Sequence, residues 1–151
     1  MNLEQQVVRL ELAKEMKELG FKQDSLFYWC PKFSGSGSPS FPYRFENSYY
    51  LRTWDKEKEN APTNYSDVDF YSAYTVAELG EMLPVSDCII EEMVEDKEWY
   101  VKIEDGRSTD IKTHQEVADT EADARAMMLI YLAENNLINP NMLIKFARSK
   151  R

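Results

Sequence analysis

The chain has 151 residues, of which 43% are hydrophobic, 30% charged and 13% aromatic, and its formal net charge is −9. A globule of that size buries about 68–70% of the surface its unfolded chain exposes, so the composition excludes a largely disordered chain and a fold that depends on disulfides. No apolar run approaches the roughly 20 residues that cross a bilayer. The opening MNLEQQVVRLELAKEMKELG has acids mixed through it, which is unlike a signal peptide, so the expected location is the cytoplasm.

Hydrophobic residues from Leu3 to Leu19 recur at helical spacing, and Gly20 follows as a stop. The aromatic run Ser25–Cys30 predicts a strand closing at Pro31, and Asn47–Trp54 predicts a second. Between them the Ser/Gly/Pro-rich FSGSGSPSFP predicts a mobile tip near 32–42, the two strands forming a long-looped hairpin. Residues 55–72 mix charge, Pro and Asn without a period and read as an acidic excursion from the core. Thr75 with Glu78 three residues on is a capping box for a short helix that contains Gly80 and stops at Pro84. Two strands follow, 87–94 and 98–104, the second alternating Trp99, Val101 and Ile103 with polar residues, and 109–114 predicts a third. Thr120 caps a long helix over about 121–135, and Asn139-Pro140 opens a last one. The expectation is one α+β domain over 1–151, ordered α-β-β-α-β-β-β-α-α, with an antiparallel sheet of about four to five strands packed against helices.

The charge is unevenly placed. Residues 1–54 hold seven Lys/Arg and six Asp/Glu, residues 55–98 three and thirteen, and residues 99–151 eight of each. Nonspecific binding to nucleic acid or an anionic membrane needs a basic face, so neither is expected as a direct partner. The expected partner is a protein or a second copy of the chain.

Catalytic signatures are incomplete. His114 is the only histidine, which excludes a multi-histidine metal site. Cys30 and Cys88 are far apart, and nothing basic flanks Cys30 to activate its thiol. Gly35 and Gly37 lack the Lys-Ser/Thr of a phosphate loop, and the acids of 55–69 lack the ligand order of a calcium loop. No cofactor or metal is expected. The remaining enzymatic reading is a small hydrolase or transferase assembled from dispersed residues such as Asp67, Asp69, Cys30 and His114.

The favoured expectation is noncatalytic binding. Tyr28, Trp29, Phe41, Tyr43, Phe45, Tyr49, Tyr50 and Trp54 fall within 27 residues, and Phe41 and Tyr43 beside the Ser/Gly loop are candidate partner anchors. A second candidate surface is the acidic stretch Glu91, Glu92, Glu95, Asp96 and Glu98, which could imitate nucleic-acid phosphates if its carboxylates were ordered on one face.

The segments Lys17–Phe21, Ser25–Cys30, Ala73–Pro84 and Ala118–Ala126 resemble small uncharacterised proteins of phages and prophages of gut Bacteroides-type bacteria. The likeness spans most of the chain in pieces. It implies a mobile-element origin and a bacterial cytoplasm, and it carries over no catalytic residue.

Overall fold

In the computed structural model the described residues are 2–42, 44–53, 70–83, 88–95, 97–105, 112–138 and Leu143, with the backbone alone described over 88–95 and at Asp105 and Lys112. Helix α1 spans Leu10–Glu18, starting later than the apolar spacing predicts. The reason lies in the backbone just before it. Val8 N donates to Tyr74 O and Val76 N donates to Gln6 O, so residues 6–8 pair with a distant segment; only Leu3–Gln5 form a short 3₁₀ turn. The end of α1 agrees with the glycine signal. Gly20 has φ 95°, Phe21 N donates to Met16 O and Gly20 N to Lys17 O, which is a Schellman motif closing the last turn.

Strands β1 (Phe27–Ser34), β2 (Arg44–Thr53) and β3 (Tyr71–Ser72) form an antiparallel sheet ordered β2-β1-β3. Strands β4 (Cys88–Glu95), β5 (Glu98–Asp105) and β6 (Lys112–Ala118) form a second antiparallel sheet in sequence order. The α+β class is as expected, but among the described residues the expected single sheet of four to five strands is two sheets of three. One extra strand, β3, is only two residues long and falls where an excursion is expected; two residues carry no period by which to detect it. Strand β1 also runs through Pro31. Beyond Trp29 its only described neighbour is β2, and a proline is tolerated where one strand edge is open. The predicted last helix lies outside the described residues, apart from Leu143, which bridges to Phe21.

Helix α2 (Val76–Met82) has both halves of the predicted capping box, Glu78 N donating to Thr75 Oγ1 and Thr75 N to Glu78 Oε2. Helix α3 (Glu121–Glu134) buries Ala122, Ala124, Ala126, Met128, Leu129, Ile130 and Leu132. Apolar burial on nearly every side makes it the centre of the fold, packed against α1, α2, β5 and β6. Val101 and Ile103 of β5 are buried in the same core, as their alternation predicts. Gly80, out of place in a helix by propensity, is explained by α3: a Cβ there would meet the guanidinium of Arg125. That guanidinium donates to Val76 O at 2.7 Å and to Glu121 Oε1 at 2.7 Å, tying α2 to α3.

Candidate functional site

The β1–β2 hairpin changes character along its length. At its base, Tyr28 and Cys30 are buried on one face with Phe70 and Tyr50 against them. On the other face Trp29 reaches the main core and its Nε1 donates to Val8 O at 2.9 Å. A chain of rings runs outward from the core. Phe33, Phe45, Tyr49 and Tyr71 form a chain of neighbours with centroid separations of 6.1, 5.5 and 5.7 Å, each pair tilted or edge-on. Lys14 Nζ lies 5.1 Å from the Tyr49 centroid, and Lys17 Nζ lies 5.1 Å from that of Tyr71 while donating to Phe70 O at 2.7 Å. These cation–π contacts fasten α1 to the near half of the ring chain.

A bulge separates the two halves. The register passes from Pro31↔Tyr49 to Phe33↔Phe45, so one residue of β1 is matched by three of β2, and Asn47 takes a left-handed φ of 55°. Asn is among the residues that accept that conformation. Bulges twist a strand and disrupt its free edge as a template for pairing.

The tip is hydrogen-bonded. Ser36 N and Gly37 N both donate to Phe41 O, at 3.0 and 3.1 Å, and Phe41 N donates to Ser38 O and to Ser38 Oγ. Gly35 has φ 100° and its α-carbon lies so close to Pro42 O that a Cβ would clash with it. The loop predicted near 32–42 thus starts later, since Lys32–Ser34 belong to β1. Phe41 is 62% exposed on this scaffold, and Phe45, in β2 across from Phe33, is 39% exposed. Lys32, Arg44 and Arg52 are exposed on the same hairpin, with Lys32 and Arg52 lying 5.9 and 5.1 Å from the Tyr50 ring.

Of the two predicted anchors, Phe41 is on the surface and Tyr43 lies outside the described residues. Phe33 and Tyr71 were not singled out by sequence: one sits inside the Ser/Gly-rich stretch and the other at the end of the acidic one, and neither has a period around it. Strand spacing of residue 33 from Trp29 and Pro31 would have placed it on their face.

In the acidic stretch, Glu98 is exposed and Asp96 lies outside the described residues. Strand positions 91, 92 and 95 are in β4, opposite Lys102, Val101 and Glu98 respectively. Directly opposed residues share a face and successive ones alternate. Position 92 is therefore on the face of buried Val101, and position 91 is on the other.

The dispersed enzymatic set is not assembled among the described residues. Asp67 and Asp69 lie outside them, Cys30 is buried in the first sheet, and His114 is in the second. His114 stacks on Tyr131 with centroids 3.5 Å apart and planes 4° from parallel, and its Nε2 lies 2.8 Å from Glu116 Oε1. That arrangement joins β6 to α3. No group of three or more His, Cys, Asp or Glu with metal-holding geometry occurs among the described residues.

A cleft of about 310 Å³ opens between the segment after α1 and α2, lined by Phe21, Lys22, Asp24, Tyr74, Glu78, Glu81 and Met82. Its central carboxylate is occupied with structure. Glu78 accepts from Thr75 N, Ser25 Oγ and Leu26 N at 2.7–3.0 Å. Burial, with Asp24 nearby, pushes the Tyr74 phenol well above its ordinary pKa, so it is a neutral hydroxyl throughout the physiological range.

No family model, curated protein or solved structure matches the chain.

Proposed function

We propose that this protein is a noncatalytic interaction protein that takes a protein partner on the outer half of its β1–β2 hairpin. The observation that carries the reading is Phe41: an aromatic residue 62% exposed at a tip fixed by hydrogen bonds to its own backbone on both sides. A large apolar ring held in water by a preorganised backbone loses little conformational entropy when a partner covers it, which is what interface anchors require. Phe45, in the same hairpin, is a second partly exposed ring. The resemblance to phage and prophage proteins supports a partner in a bacterial cytoplasm.

The acidic decoy is the weaker version of this reading, because neighbouring positions 91 and 92 fall on opposite faces of β4 and a phosphate imitation needs one face. The hydrolase or transferase alternative is weakened by the separation of Cys30 and His114 onto different sheets.

Site-specific photo-crosslinking tests the proposal. A benzophenone side chain at position 41 should give a discrete crosslinked product with a host protein, and one at exposed Glu4 should not. Phe45→Ala in the same chain should reduce the yield at a temperature where circular dichroism shows both proteins folded. Equal products from both positions, or a yield indifferent to Phe45→Ala, would sink the reading.

A further inference from the structure

We infer that the cleft between the segment after α1 and helix α2 binds a small organic amine in its ammonium form. The site shares no residue with the hairpin and is independent of the role proposed for it. Its volume of about 310 Å³ is at the lower end of the roughly 300–1,000 Å³ of small-molecule pockets, which sets the size of the ligand. The sign of its charge comes from the lining. Asp24, Glu78 and Glu81 face it against Lys22 alone, and among the described residues none of the four is in an ion pair. A cleft lined by one sign of charge between apolar walls concentrates the opposite ion, and the buried Phe21 with the half-buried Met82 supplies such walls.

The carboxylates divide the work. Glu78 accepts from Thr75 N, Ser25 Oγ and Leu26 N, so its place is fixed, and because all three donors are neutral its charge is left uncancelled. Asp24 and Glu81 are exposed and accept no hydrogen bond among the described residues, so their oxygens are open to a donor. Tyr74 adds a buried acceptor. It is 2% exposed, it lines the cleft, and its hydroxyl makes no hydrogen bond among the described residues. Ser72 Oγ, the wholly buried hydroxyl beside it, has no hydrogen-bond partner either, so no bond between the two uses up the phenol. Burial first, and then the charges of Asp24 and Glu78, raise the phenol's pKa, which puts its hydroxyl within the field of those two carboxylates. A buried hydroxyl without a partner costs free energy, and a donor in the cleft recovers it.

A bare metal ion fits less well. It needs several oxygens converging on one point, and no group of three or more His, Cys, Asp or Glu does so among the described residues. An ammonium has three donors that reach separate acceptors, and the stem that carries it covers the apolar wall of Phe21 and Met82.

Isothermal titration calorimetry of the full chain with cadaverine tests the inference, with pentanediol and glutarate as neutral and anionic probes of the same length. The diamine should bind about tenfold or more tighter than either, the equivalent of one hydrogen bond to a charged group. Asp24→Asn and Glu81→Gln should each weaken it by about two- to fivefold, the range of an exposed ion pair. Tyr74→Phe, which keeps the ring, should weaken it by about three- to tenfold, the range of one hydrogen bond. Glu15→Gln makes the same change of charge at an exposed position outside the cleft and should leave the affinity as it is. Circular dichroism should be unchanged in all four variants, since none removes a hydrogen bond among the described residues. No binding of the diamine, or equal binding of pentanediol or glutarate, overturns the inference. A loss in Glu15→Gln as large as that in Asp24→Asn also overturns it, in favour of general charge attraction. Tighter binding of magnesium than of the diamine overturns it in favour of a metal ion, and tighter binding of a Gly-Lys-Gly peptide in favour of a side chain from another protein.

Discussion

The inner and outer ends of the β1–β2 hairpin are built from similar residues and put to different use. Tyr28, Trp29 and Cys30 at the inner end are covered by Phe70 on one side and by the helical core on the other. Phe33 and Phe45 at the outer end have rings for neighbours, and Phe41 and Phe45 remain exposed. Aromatic content alone does not separate a core from an exposed surface; the two-residue strand β3 and the bulge at residues 46–48 do. The first gives the inner end a second neighbour, and the second interrupts the register before pairing resumes at Phe33↔Phe45 and Ser34↔Arg44.

The largest effect that would break this contrast is in the body. Leu129 is fully buried at the centre of α3, and Leu129→Ala should cost about 2–5 kcal/mol in urea denaturation through lost burial and a residual cavity. If hairpin and body are energetically distinct, the variant should unfold earlier and, while folded, keep the protected amides of the hairpin tip at Ser36, Gly37 and Phe41. Next comes the tip itself. Gly35→Ala forces a side chain into φ 100° and against Pro42 O, a strain of about 1–3 kcal/mol. Its expected signature is local: faster amide exchange at Ser36, Gly37 and Phe41, whose hydrogen bonds hold the tip, with little change in global melting. A global loss matching the strain would show that tip and body unfold as one unit.

Gly80→Ala reverses the usual rule for helices. Alanine should gain about 1 kcal/mol of helix propensity, but the new Cβ displaces an Arg125 guanidinium that bridges Val76 O and Glu121 Oε1. Displacing that fixed group costs about 1–3 kcal/mol as overpacking. The net expectation is a loss of about 1 kcal/mol in thermal denaturation; a gain would show that Arg125 moves aside freely.

Those same residues mark how much of the molecule could be read from its sequence. Features set by neighbours along the chain were legible: the capping box of Thr75 and Glu78, the stop at Gly20, the alternation of Trp99, Val101 and Ile103, and the cap at Thr120. Features set across the fold were not. Nothing near Leu3 shows that residues 6–8 pair with 74–76, so helix α1 was expected seven residues too early. Nothing near Gly80 shows Arg125. The candidate surface was half legible, since Phe41 beside a Ser/Gly loop stands out in sequence, while the role of Phe33 and Tyr71 depends on register between three strands.

The smallest effect concerns a charge held inside the body. Asp123 in the first turn of α3 is buried, with Oδ1 accepting from Arg9 N at 2.9 Å and Oδ2 lying 3.8 Å from the exposed Arg9 guanidinium. Burial raises its pKa above the ordinary carboxylate value, outweighing the Arg9 amide and guanidinium, which favour the anion. The folded form therefore holds the proton more tightly than the unfolded chain does. Its contribution to stability is fully present below the unfolded pKa of about 3.9 and is lost as pH rises through the higher folded pKa. Asp123→Asn keeps an oxygen acceptor for Arg9 N and removes the proton equilibrium. Relative to that variant, the native chain should be more stable at low pH than at pH 7. Denaturation of both proteins at pH 3.5 and pH 7 reads it. A difference of the opposite sign would mean that the Arg9 contacts, and not burial, dominate at this helix start.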